Sequence, residues 1–145
     1  MTDCITHPAR GRALAATIGI ALLALTHTPV LALDVGNTVP TFSLESNRGK
    51  LDSASLKGKL VYIDFWASWC VPCKQSFPWM NEMHAKYADR GLQVLAINVD
   101  AKTADAEKFL TQVPAKFQIA FDATGQTPKQ FAVKGMPSSD RKSVV

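Results

Sequence analysis

A chain of 145 residues is long enough for one domain and too short for two. Its formal net charge is +4, with 16 Lys and Arg interspersed among 12 Asp and Glu. No basic arm, and no Lys/Arg stripe with interleaved aromatics, is present to grip a phosphate backbone, so nucleic acid is excluded as a partner class.

The first 32 residues read as a segment apart from the domain. His7, Arg10 and Arg12 give a positive start, and residues 13–25 form an unbroken run dominated by Ala, Leu and Ile. Thr26, His27, Thr28 and Pro29 interrupt that run before it reaches the ~20 apolar residues a bilayer requires. Val30-Leu31-Ala32 then suits cleavage after Ala32. This order predicts a secretory signal peptide over 1–32, with an uncleaved membrane anchor as the alternative, and leaves 33–145 as the domain. Cys4 precedes the apolar run, so it is not placed as a lipoprotein cysteine and would leave with the signal. Cys70 and Cys73 remain. In an exported chain, a single closely spaced pair with no other bridge serves exchange rather than stapling.

Residues 41–44 alternate polar and apolar side chains as a half-buried strand does, and Asn47-Arg48-Gly49-Lys50 has turn chemistry. Residues 53–57 suit one helical turn closed by Gly58. Residues 60–66 are almost continuously apolar, the pattern of a strand covered on both faces in a parallel or mixed sheet. A helix is predicted from about Cys73 to Arg90, kinked near Pro78 and stopped by Gly91, followed by a second buried strand over 92–99. Strand, helix and strand make a right-handed crossover unit. A second helix is expected with Thr103 as its cap, Asp105 and Glu107 in its first turn, and an end before Pro114. A short strand over 117–121, a turn at 122–125 and a brief helix over 128–132 lead to the loop holding Met136 and Pro137.

The chemistry concentrates in Trp69-Cys70-Val71-Pro72-Cys73-Lys74, at the junction of the buried strand and the first helix. A helix N-terminus offers unpaired N–H groups and a partial positive charge, which stabilise a thiolate and lower its pKa. The thiolate is the species that attacks disulfides, so the placement predicts thiol–disulfide exchange. The competing uses of such a pair are a static disulfide or half of a zinc site. Zinc needs two further Cys or His ligands, and the domain offers only His84, so no metal site is expected. Pro72 in the first turn sacrifices no hydrogen bond and stiffens the helix start, while Val71 adds no charge beside the thiolate. Lys74 either helps to hold that thiolate or is a solvated helix lysine. Asp64 stands in the buried strand, where desolvation raises a carboxyl pKa and the burial is costly unless the group has a task. The alternative is a carboxylate satisfied by backbone or by a lysine such as Lys59. Trp66 is expected in the core and Trp69 as a surface wall beside Cys70. Phe77, Trp79, Met80 and Met83 are expected to form the helix's packing face, with His84 at its boundary.

Phe42-Ser43-Leu44, Leu56-Lys57-Gly58-Lys59, the stretch from Asp64 to Cys73, the strand over 94–99 and Gly135-Met136-Pro137-Ser138 occur in that order. On these residues the chain resembles the thioredoxin superfamily, and within it is most similar to the exported TlpA/ResA-like group that includes cytochrome c maturation thioredoxins. The resemblance implies an α/β thioredoxin-like fold, a mixed sheet flanked by helices. It implies Cys70 as nucleophile with an exposed sulfur, Cys73 as the more buried resolving thiol, and Asp64 as the group moving a proton to or from Cys73. The redox-active Cys70–Cys73 disulfide would need no other cofactor. A cis Met136–Pro137 bond would face the cysteines, so that Trp69, Val71, Pro72, Met136 and Pro137 contact substrate. The implied partners are an exported protein disulfide, apocytochrome c among the candidates, and a membrane thiol–disulfide electron donor in the periplasm or an equivalent compartment.

The family continues past its proline loop with an antiparallel strand pair and a final helix, whereas six residues follow Ser139 here. The expectation is a domain lacking the C-terminal strand pair and last helix, with an exposed sheet edge. Two other readings compete with exchange: a copper-binding chaperone using the cysteine pair with Met or His, and a truncated, inactive thioredoxin relative. A peroxidase fits less well, because peroxide reduction in related folds uses a differently placed cysteine without this pair.

Overall fold

The computed structural model describes residues 38–144, with side chains as far as Ser139. The predicted signal peptide or anchor, its cleavage site and Cys4 lie outside the described residues. No helix among the described residues is long and apolar enough to cross a membrane.

Apolar continuity builds the centre of the sheet. Lys59–Trp66 (β3) and Leu92–Asn98 (β4) pair in parallel from Leu60 opposite Leu92 to Trp66 opposite Asn98. Gln118–Phe121 (β5) joins β4 in parallel, and Ser43–Ser46 (β1) joins β5 antiparallel, with Leu51–Asp52 (β2) hairpinned onto β1. A 3-10 turn over Ser53–Leu56 connects β2 to β3. The helices are Val71–Tyr87 (α1), Thr103–Gln112 (α2) and Gln126–Gln130 (α3). The six strands run in the order β2-β1-β5-β4-β3-β6, the last being Ser138–Val144 (β6).

The two faces follow from the period-2 alternation of β3. Tyr62 and Trp66 point to the side covered by α1 and α2. There Trp66 meets Phe77 at 5.0 Å and Phe109 at 4.8 Å between ring centroids, and Phe77 meets Phe117 at 5.4 Å. Edge and tilted aromatic contacts of this kind each contribute about 0.5–1.5 kcal/mol beyond area burial. Val61, Ile63 and Phe65 point to the other side. They pack there with Phe42, Leu56, Leu95 and Ile97, and with Phe131 just after α3. Crossovers β3-α1-β4 and β4-α2-β5 step the same way across the sheet, so one handedness puts both helices on one face. The chain then passes under the sheet through α3 to reach β6 beside β3.

Several boundaries differ from expectation. α1 begins at Val71 rather than near Cys73, because Pro72 is preset for a first turn and Cys70 caps it. It runs through Pro78 to Tyr87, and a 3-10 turn over Ala88–Arg90 completes the expected length before Gly91, in a left-handed conformation at φ 91°, stops it. Lys102, not Thr103, is the residue flanking α2, and it makes no side-chain cap. Trp79 is exposed rather than packed inward and stands edge-on to Tyr62 at 5.5 Å.

The largest difference concerns the expected loss of the whole C-terminal strand pair. β6 forms, pairing antiparallel with β3 from Ser138 opposite Phe65 to Val144 opposite Lys59, so β3 is an interior strand. Ser138-Ser139-Asp140-Arg141-Lys142-Ser143 has no apolar alternation to announce a strand. What holds it is the row of backbone donors and acceptors on β3, which require pairing whatever side chains the partner carries.

Candidate active site

The parallel strands aim their C-terminal ends at one edge of the domain, and the chain turns there from β3 into α1. Cys70 N–H donates to the Ala67 carbonyl at 3.1 Å, closing the turn, and Cys70 then serves as the N-cap of α1. Its Sγ accepts the backbone N–H of Cys73 at 3.3 Å. A sulfur in the N-cap position takes one of the helix's otherwise unpaired donors, and a thiolate there gains from both that bond and the helix dipole. Cys70 and Cys73 are disulfide-bonded, with Cα atoms 5.3 Å apart.

The sulfur of Cys70, expected to be exposed, lies on a nearly buried residue. Cys70 is only 4% exposed and Cys73 is fully buried. The exposed groups are the neighbours: Trp69 at 67% and Val71 at 70%, with Pro72 and Pro137 also open to solvent. Met136 is half-buried against the core cluster that contains both cysteines, and the Met136–Pro137 bond is cis. Trp66 lies fully buried in the same cluster. The expected substrate-contacting residues Trp69, Val71 and Pro72 thus adjoin the disulfide along the chain, while Met136 reaches its cluster from the loop before β6.

Asp64 is fully buried on β3. Alternation along the strand sets it between Tyr62 and Trp66, on the face that α1 covers, and Ala96 and Ser139 are its cross-strand neighbours. Burial pushes its carboxyl up to about 6, and the Ser139 hydroxyl, donating to Oδ1 at 2.7 Å, offsets part of that rise. Among the described residues, Oδ2 has no hydrogen-bond partner. Lys59 does not neutralise it: five residues apart on one strand, the two side chains leave opposite faces and start about 16 Å from each other. A buried acid that titrates near neutrality is suited to proton transfer.

Two parts of the site escaped the sequence reading. Ser139 was unmarked because its place beside Asp64 exists only through the β3–β6 register. The second is a clamp on the loop that carries Cys70. Asp100 Oδ2 accepts the Ser68 N–H at 2.9 Å and the Asn98 side-chain amide at 2.8 Å, and Oδ1 accepts the Ser68 hydroxyl at 3.0 Å. Asn98 Oδ1 in turn accepts the Asp100 N–H at 3.0 Å. The visible signal was Asn98 and Asp100 at the C-terminal end of a buried parallel strand, where open α/β sheets place their sites. Among the described residues, no three His, Cys, Asp or Glu side chains gather as metal ligands.

Comparison with known proteins agrees with this arrangement. The AhpC/TSA family model matches residues 35–144. The thiol-disulfide oxidoreductase ResA of Bacillus thuringiensis subsp. konkukian is 31% identical over 127 residues, 87% of this chain and 73% of that protein. ResA of Bacillus cereus (strain ATCC 10987 / NRS 248) is 32% identical over 108 residues, and the chain spans 62% of its length. A crystal structure from Chlorobium tepidum, described as a thiol:disulfide interchange protein DsbE, superposes with a TM-score of 0.74 at 56% identity, over 76% of this chain and 78% of that one. The fold is thus thioredoxin-like, as its sheet order and the cysteine-capped helix indicate. With a disulfide at the N-cap of α1 and relatives of this kind on either side of the comparison, the chain belongs to the AhpC/TSA family, among its ResA-like thiol–disulfide oxidoreductases.

Proposed function

We propose that the protein works outside the cytosol as a reductant of protein disulfides, taking extended segments whose cysteine pair is flanked by apolar residues, with apocytochrome c as one such substrate. The observation carrying this reading is the contrast at the site: a nearly buried disulfide whose chain neighbours Trp69 and Val71 are exposed. Exposed large apolar groups beside a reactive bond are a docking rim, and the sulfur becomes reachable by a partner that covers them. The signal peptide expected from the sequence of residues 1–32 and the family resemblance support export.

In the reduced protein the Cys70 thiolate, held by the Cys73 N–H, attacks one sulfur of the target disulfide. A mixed disulfide forms and the target's other sulfur leaves as a thiolate. Cys73 then gives its proton to Asp64 and attacks the Cys70 sulfur, forming the intramolecular disulfide and releasing the target's second thiolate. The target gains two electrons and the Cys70–Cys73 pair loses two. A membrane dithiol donor of higher reducing power restores the pair by the reverse exchange.

Stopped-flow mixing of the reduced full chain with two oxidants tests this reading. An oxidised peptide of the type Cys-X-X-Cys-His with apolar flanks should react at least about tenfold faster than glutathione disulfide, the factor that burying one apolar contact of ~1.4 kcal/mol supplies. Equal rates would show that the rim recognises nothing.

A further inference from the structure

We propose that Ser139 is a positioning residue for Asp64, its hydroxyl joining the buried carboxylate to solvent and carrying the proton that Asp64 takes up in each turnover. The proposal rests on the reading of Asp64 as the proton acceptor for Cys73, and it assigns the outward half of that transfer.

The geometry is specific. Tyr62 and Trp66 of β3 touch Trp79 and Phe77 of α1 at 5.5 and 5.0 Å, so Asp64 between them lies beneath the same helix. Every neighbouring element can be named. β3 presents Tyr62 and Trp66, β4 presents Ala96, α1 brings Cys73 into the shared core, and β6 presents Ser139. None of these described side chains is charged; the charged residue of β6 on the same register face as Ser139 is Arg141, whose backbone pairs with Tyr62. Of the described residues, Ser139 is the one that donates a hydrogen bond to the carboxylate, at 2.7 Å. It is also the one that crosses the boundary, since Ser139 is exposed and Asp64 is fully buried. Tyr62 is half-buried beside the same hydroxyl; burial raises its phenol, and a hydrogen bond from Ser139 offsets part of that rise.

A hydroxyl is suited to the task because it donates and accepts at once. While Asp64 is ionised, the Ser139 O–H donates to Oδ1 and stabilises the charged form. Once Asp64 has taken the Cys73 proton, that proton passes to the Ser139 oxygen as the hydroxyl's own proton leaves to water. Ser139 ends unchanged, Asp64 returns to the carboxylate, and one proton has moved from Cys73 to solvent.

The test uses the full chain with Ser139→Ala, Ser139→Thr and Asp64→Asn. The Asp64 titration is followed by carboxyl-carbon NMR in the oxidised protein, and the pH profile of peptide disulfide reduction in the reduced one. Ser139→Ala should move both the titration and the profile's limb upward by about one pH unit, the size of one lost hydrogen bond to a charged group. Ser139→Thr, which keeps the hydroxyl, should return both to the parent position. A titration unmoved by Ser139→Ala overturns the proposal, as does a moved titration with an unmoved rate profile. If Asp64→Asn itself leaves the profile intact, the underlying reading of Asp64 fails, independently of what Ser139 does.

Discussion

Replacing Cys70 with Ser is expected to remove disulfide reduction altogether, a loss of roughly a thousandfold or more, whereas Cys73→Ser should stop the reaction halfway and accumulate a covalent complex with the target. The asymmetry follows from position. Cys70 caps α1, so its sulfur carries the helix-stabilised charge, next in the chain to the exposed Trp69, Val71 and Pro72. Cys73 is wholly buried within the first turn and meets no partner directly. A Cys73→Ser protein keeps the nucleophile and lacks the thiol that would release the target. Non-reducing mass spectrometry after exposure to an oxidised peptide should show the mixed disulfide on Cys70. An adduct that instead forms in Cys70→Ser and not in Cys73→Ser would reverse the assignment.

Asp64→Asn should slow exchange near neutral pH about 10²-fold, the ordinary contribution of a general acid–base group, while making the folded protein more stable there. The sign follows from the direction of the shift. Burial raises the folded carboxyl from 3.8 to about 6, so the folded state binds a proton that the unfolded chain has already lost between those values. The stability this provides is complete below about pH 4 and is lost as pH rises through about 6. Above that, the wild-type protein holds a buried charge whose penalty is on the order of 3 kcal/mol. Asn carries no charge, so urea midpoints of wild type and Asp64→Asn should coincide near pH 4 and separate by pH 7.5, with the variant higher. A variant less stable than wild type at pH 7.5 would mean that the carboxylate is stabilised by its surroundings rather than tolerated for its chemistry.

How far the sequence carried this account depended on whether a feature is local. The run from Leu60 to Trp66, the Cys70–Cys73 spacing, Pro72 and Gly91 each act through their own backbone neighbourhood, and the strand, helix start and helix stop lie within a residue or two of expectation. Asp64 was legible as an anomaly, an acid in an apolar run, and its burial followed. The features missed are those set by distant segments. β6 has no side-chain pattern and forms because β3 needs a partner on that edge. Ser139 meets Asp64 across 75 positions, and Asp100 reaches Ser68 across 32. The near-burial of Cys70 arises from residues packed over it in three dimensions, which no helix-terminus argument supplies. Trp79 followed the helical period of an inward face, yet α1 turns it edge-on to Tyr62, where it remains exposed.

Whether the fold tunes a working dithiol is read by a redox titration of residues 33–145. Cys70 and Cys73 would be quantified by thiol trapping across a series of glutathione or dithiothreitol buffers, in native conditions and again in denaturant. One two-electron transition is expected in each, with the native midpoint well displaced from the denatured one, because the α1 N-terminus acts on these sulfurs only when the helix exists. Coincident midpoints would contradict that expectation, since the fold would then contribute nothing to the chemistry of the pair.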